Sequence, residues 1–160
     1  MMDKIQYDKF WLPKDVRNIG FLFEYCDKVM QDLYDVNIDV EKFLTAFMKS
    51  NVRRKMEAGN PRLLSQSYID TIDCFITAGC SGNYQQFKTN LETEDLGFSP
   101  FQRMWIGGMY VKIAYHFDID FAEVVELLPL SQMSNHYQVG HEISDESYLD
   151  SVRHIFEPVS

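Results

Sequence analysis

From Pro13 onward the apolar residues of this chain recur at intervals of three and four, and each run ends at a residue suited to capping or breaking a helix. That pattern leaves room for little except amphipathic helices. Ile19, Leu22, Phe23, Cys26, Met30 and Leu33 make one stripe and predict a first helix to about Asp35. Asp39 is placed to cap a second, in which Val40, Phe43, Leu44, Phe47 and Met48 keep the period to about Ala58, and Gly59 supplies a left-handed stop before Pro61. Asn60 and Pro61 then combine a cap with proline at the first helical position, and Leu64, Tyr68, Ile72, Phe75 and Ile76 carry a third stripe to Gly79.

The stretch GCSGNYQQFKTNLETEDLGF breaks the period and reads as a mobile loop, with a short helix around Tyr84 to Leu91. Ser99 and Gln102 stand in capping-box relation around Pro100 and open a fourth helix, with Phe101, Met104, Trp105, Met109 and Ile113 on one side. Gly107 and Gly108 lie inside it at a cost of about 1 kcal/mol each relative to alanine, which a close helix crossing would offset. Asp120 and Glu123 open a short helix ending near Leu128 and Pro129, a further one covers about Ser131 to Gln138 before Gly140, and Ser144 caps a last helix with Asp145 and Glu146 in its first turn. The expectation is an all-α, compact single-domain bundle of about six to eight helices spanning residues 1–160.

At 160 residues with a hydrophobic fraction of 46%, one self-sufficient core is expected. No run is apolar enough to span a membrane and the first ten residues have no signal-peptide centre, so a cytoplasmic location is expected, with no membrane partner. Cys26, Cys74 and Cys80 are odd in number and lack a CxxC pair, which points to free thiols rather than disulfides or structural zinc. The net charge of −9 is unevenly spread: residues 1–60 hold ten basic and ten acidic side chains, residues 61–160 five and fourteen. An acidic second half repels a phosphate backbone and attracts a basic partner, so direct nucleic-acid binding is not expected. The single basic run, Arg53, Arg54 and Lys55 with Arg62 nearby, reads as a helix C-terminal cluster.

Two places could carry chemistry. His136, His141 and Glu142 fall within seven positions, but ligands on one helix face are four apart. At a spacing of five, the second ring points roughly 140° away from the first. His116, Asp118 and Asp120 alternate at the end of the fourth helix and would face one way in an extended loop. If the fold brought His116, Asp118, His141 and Glu142 together, a small metal-dependent hydrolase would be the reading; otherwise no cofactor is implied. GCSG lacks the fifth position of a serine elbow, and no phosphate-binding glycine loop is present.

Two stretches also carry a resemblance. FMKSNVRRKMEAGNPRLLSQS resembles a phenylalanine-rich helix running into a Glu-x-Gly-Asn-Pro turn, and FQRMWIGGMYVKIAYHFDIDFAEVVELLPLSQMSNHYQVGHEIS resembles a tryptophan-glycine helix followed by a Phe-x-x-Val helix and a His-Glu turn. Over residues 43 to 156 the chain is similar to a group of small acidic helical bacterial and phage-associated proteins encoded beside toxin-like genes. The resemblance implies an antitoxin- or immunity-type inhibitor that neutralises its partner by occlusion. The partner would be a protein with a basic face, such as a toxin or a nucleic-acid-binding enzyme, and a homo-oligomer is a further possibility. Trp105, Tyr110, Asp118, Asp120, Glu123 and Glu126 are the expected contact residues.

Overall fold

The computed structural model describes residues 11–90 and 99–157, which form nine helices. They are α1 (Leu12–Tyr34), α2 (Val40–Met48), α3 (Asn51–Glu57), α4 (Pro61–Ser65), α5 (Tyr68–Cys74), α6 (Pro100–Phe117), α7 (Phe121–Leu127), α8 (Leu130–Gly140) and α9 (Asp145–Phe156). The all-α class follows the apolar period, and the boundaries follow the caps. Asp39, Asn60 and Ser144 each accept a bond from a backbone N–H of the first turn they precede, and Ser99 and Gln102 close a complete capping box.

Two stripes that look continuous in the sequence are divided. Ser50 is extended and its hydroxyl accepts the Arg53 N–H, so the expected second helix becomes α2 and α3. Ser67 does the same for the Asp70 N–H, separating α4 from α5, and a π-helical turn over Phe75–Gly79 extends α5. A serine that caps within an unbroken apolar period is thus a break that periodicity alone does not reveal.

The segment after Gly79 is also more ordered than its composition suggests. Phe87 is buried against Phe43 and Phe75, and Tyr84 stacks on Tyr34 at 4.7 Å. Backbone bonds from Asp39 N to Phe87 O and from Thr89 N to Asn37 O pin it to the α1–α2 connection. The expected helix from Tyr84 is a 3-10 turn over Tyr84–Phe87; its expected end at Leu91 lies outside the described residues.

At the centre, α1 and α6 run antiparallel, since Val16, Gly20 and Asp27 meet Gly108, Met104 and Arg103 in reverse order. Gly107 sets their separation. A Cβ there would lie 2.7 Å from the Phe23 ring and 2.8 Å from the Ile19 carbonyl oxygen, so the backbones approach more closely than any side chain permits. Most of the remaining helices pack on this pair, α2 and α5 on α1 and α7, α8 and α9 on α6, while α3 packs between α2 and α4. Because α6 is covered on several sides, its apolar residues do not define one face. Ile106, Tyr110, Ile113 and Phe117 are buried, while Phe101 from the expected stripe is 73% exposed.

Two buried arginines lock the arrangement. Arg103 on α6 donates through Nε to the Phe23 carbonyl at 2.8 Å and through a terminal nitrogen to the Glu24 carbonyl at 2.7 Å and the Asp27 carboxylate at 3.0 Å, all on α1. Arg53 on α3 is 0% exposed and grips Asp15 of α1 through two bonds of 2.7 Å. Its guanidinium lies 3.7 Å over the Phe121 ring, and buried Glu57, one turn along α3, accepts the Phe121 N–H at the start of α7. The expected C-terminal basic cluster is divided, with Arg54 and Lys55 in the last turn of α3 and Arg53 withdrawn from it. Arg53 is core, Arg54 stands 3.6 Å from the Asp120 carboxylate, and Lys55 alone of the three is exposed.

Two consequences are measurable by denaturant unfolding. Gly107→Ala lowers stability by about 1–3 kcal/mol through overpacking, despite a helix-propensity gain of about 1 kcal/mol. Gly108→Ala, whose new Cβ meets Val16 Cγ1 at 3.3 Å and the Val16 carbonyl oxygen at 3.7 Å but no backbone atom under 3 Å, loses less; equal stability of the two variants would contradict the crossing as described. Asp15→Ala removes both 2.7 Å bonds of the buried Arg53 guanidinium and leaves Glu57, 3.9 Å from Nε, as its counter-ion, which costs about 3 kcal/mol for two charge-assisted bonds. Removing Glu157 from its exposed pair with Arg153 costs under about 1 kcal/mol.

Candidate protein-binding surface

The Gly20 and Gly108 positions leave no side chains over the outer side of the α1–α6 crossing, and a groove of 320 Å³ results. Its lining is mostly apolar: Val16, Phe21, Met104, Trp105 and Met109 surround the two glycines. Arg17 and Lys112 are the charged residues of the lining. The antiparallel register places them together at the Gly108 end, with Phe21 and Met104 at the other. Phe101, one turn before Met104 and Trp105, extends the apolar surface beyond the groove.

Trp105 is half-buried and held from behind. Its ring meets Tyr137 and Tyr148 edge-on at 5.8 and 5.2 Å and lies over Gly140, where an added Cβ would come within 2.6 Å of it. Gly140 is therefore required by the indole more than by the end of α8. Behind the indole, the Tyr148 hydroxyl is 2.9 Å from His136 Nδ1 and 3.2 Å from Met133 Sδ. One proton arrangement satisfies both contacts, with neutral His136 donating to the Tyr148 oxygen and the Tyr148 hydroxyl donating to sulfur. Burial holds His136 below the ordinary histidine value, the charge of His154 adds to this, and burial pushes the Tyr148 hydroxyl up.

The acids divide into two groups. Asp120 pairs with Arg54 and Glu126 with Lys49, so two of the expected contact residues instead tie α7 to α3 and α2. Asp118 is the left-handed C-cap of α6, with φ of 55°, and is half-buried. Glu123, Glu142 and Glu146 are exposed, and no cation stands at ion-pair distance from them among the described residues. The last two flank Asp145, which binds Lys112 at 2.6 Å and so places the acidic turn between α8 and α9 at the rim of the groove. Tyr110, also expected at the contact surface, is fully buried. Its hydroxyl donates to the Leu128 carbonyl at 2.6 Å, because Tyr110 shares a side of α6 with Ile106 and Ile113.

The metal-ligating set is not assembled. His116 is exposed beside Arg153, with its Nε2 3.4 Å from the guanidinium. His141 stacks on Tyr137 at 4.1 Å and its Nδ1 contacts the Tyr137 carbonyl. Among the described residues no three histidine, cysteine or carboxylate side chains stand together as a metal site. The three cysteines are free thiols; burial pushes Cys26 up to about 12, far from a reactive thiolate. No helix among the described residues is long and apolar enough to cross a membrane.

Of the expected contact residues, Trp105 lines this groove; Arg17, Phe21, Lys112 and the rim acids Glu142 and Glu146 were not among those expected to contact a partner, because the groove depends on which two helices cross. The glycine pair in α6 was the available signal for a crossing, and Gly20 is its counterpart in α1. No protein-family model, curated protein or solved structure matches this chain significantly.

A pH dependence follows from the cradle behind Trp105. Because His136 titrates lower in the fold than in the unfolded chain, its contribution to stability is complete above about pH 6.5. It is lost as the pH falls from there through the folded value. His136→Asn flattens stability between neutral and mildly acidic pH; an unchanged slope, or an NMR titration of His136 at or above the free-histidine value, would contradict the cradle.

Proposed function

We propose that this chain is a protein-binding inhibitor of the antitoxin or immunity type, which neutralises a partner by covering its basic face. The reading rests on one juxtaposition: exposed Phe101, half-buried Trp105 and the α1–α6 groove lie beside the free carboxylates of Glu142 and Glu146. A rigidly held aromatic ring beside exposed apolar area is the type of anchor that carries binding energy in protein interfaces. Unpaired carboxylates around it raise the encounter rate with a cationic surface and add less to the final affinity. The net charge of −9 extends the same bias over the whole molecule.

The hydrolase alternative gains no support from geometry, since His116 is engaged by Arg153 and His141 by Tyr137. Occlusion needs no assembled catalytic group, only a surface whose anchors are preorganised. Trp105, fixed between Tyr137, Tyr148 and Gly140, meets that requirement with little side-chain entropy left to lose.

Capture with the tagged chain tests this reading. At low salt a single basic protein is retained, and it is released near 1 M salt, where the screening length falls to about 3 Å. A double variant, Glu142→Lys with Glu146→Lys, slows association with that protein by about tenfold or more and weakens its salt dependence. An acidic partner, retention indifferent to salt and to charge reversal, or no retained protein would each overturn the reading.

A further inference from the structure

Building on the reading of the chain as a protein-binding module, we propose that the α1–α6 groove receives a short helix of the partner. That helix carries a bulky apolar residue with an aspartate or glutamate about one turn away. The apolar residue sits over Gly20 between Phe21, Met104 and Trp105, and the acid reaches Arg17.

The charge around the groove selects this occupant. In a chain of net charge −9, the groove presents cations at one end only. Lys112 is already neutralised by Asp145 at 2.6 Å. Arg17 is exposed and on the first half of α1, whose one acid, Asp15, is turned inward to Arg53. Among the described residues no carboxylate stands at ion-pair distance from Arg17. A planar guanidinium at the end of an apolar trough recognises a carboxylate with two parallel bonds, which neither a neutral nor a basic segment supplies.

Spacing adds the second constraint. Arg17 and Phe21 are four residues apart on α1, about 6 Å along the axis at 1.5 Å per residue. A ligand helix lying along the groove therefore matches them with residues three or four apart. Crossing helices accept the side-chain ridge of a third helix, and here the trough between them is lined by the two glycines together with apolar side chains. The rim has the opposite sign, with Glu142 and Glu146 near Lys112 and Asp145. A partner with an acid at its anchor and basic residues around it matches both signs at once, and a wrong register sets like charges together.

The test uses the whole chain and a phage-displayed library of random sixteen-residue peptides. Peptides enriched on the parent chain carry Leu, Met, Phe or Trp with Asp or Glu at a spacing of three or four. Synthetic versions bind with Kd values raised about tenfold or more by Arg17→Glu. Met104→Asp also raises them, while Asp32→Lys, at an exposed position fifteen residues along α1 from Arg17, does not. Panning on the Arg17→Glu chain exchanges the acidic preference for a basic one. Arg17 is exposed, and far-ultraviolet circular dichroism with thermal melting verifies that its variant folds. The inference is overturned if no peptide is enriched, if the enriched peptides are basic or lack the spacing, or if their binding ignores Arg17→Glu and Met104→Asp. Because no host protein enters the panning, its failure removes the groove and leaves salt-dependent capture to stand separately; failure of capture likewise leaves groove peptides unaffected.

Discussion

The contact on which the arrangement depends is the buried guanidinium of Arg53. It joins three helices distant in sequence: α1 through Asp15, α3 through its own backbone, and α7 through the ring of Phe121. Glu57 completes the link by accepting the first N–H of α7, a donor that no residue within that short helix can satisfy. Burying these charges brings little net stability, because desolvation consumes most of the Coulombic gain. What the network supplies is uniqueness. With Arg53 in the core, any packing that moves α1 away from α3 breaks both of its short bonds to Asp15 and leaves only the longer 3.9 Å approach of Glu57, whereas a purely aliphatic contact would tolerate a shift of one turn.

These interior ions were the least legible part of the sequence, though a signal for them exists. Asp15 precedes Ile19, Leu22 and Cys26 at stripe spacing, and Arg103 precedes Ile106, Tyr110 and Ile113 in the same way. An ionisable residue at a core position of an amphipathic helix implies a buried partner, but a single helix does not disclose where that partner lies. Caps were far more legible, because Asp39, Asn60, Ser99 and Ser144 act within three residues of themselves. The same local chemistry at Ser50 and Ser67 was hidden beneath an apolar period that continues through both.

Legibility of the candidate surface divides along the same line. Trp105 stands out in the sequence, whereas the acidic turn reads there as a metal-ligand candidate at Glu142 and helix-dipole chemistry at Asp145 and Glu146, and the assignment of Tyr110, Asp120 and Glu126 depended on tertiary pairing that no local pattern encodes. Tyr110 lies on an α6 that is apolar nearly all round, so periodicity does not choose which rings face solvent. Asp120 and Glu126 illustrate how net charge overstates a binding surface. Acids engaged by Arg54 and Lys49 stabilise α7 against its neighbours and are partly unavailable to steer a partner, which leaves Glu123, Glu142 and Glu146 as exposed acids of the C-terminal helices outside any ion pair among the described residues.

The two central glycines of α6 connect fold and surface. Both lack a side chain, yet they face different consequences because consecutive helical positions are rotated by about 100°. Gly107 looks inward at Phe23 and Ile19, where a methyl group has no space, and so it sets the closeness of the crossing. Gly108 looks toward Val16 and lines the groove, and an added methyl group there would need Val16 to give by only a few tenths of an ångström while making the trough shallower. The helix-propensity cost of this dipeptide therefore has two separable returns, one in packing and one in a concave surface. A chain under pressure for stability alone would retain the first glycine and replace the second with alanine. Retaining both keeps the groove as deep as the crossing allows, which is the arrangement expected if the outer face of α1 and α6 serves recognition.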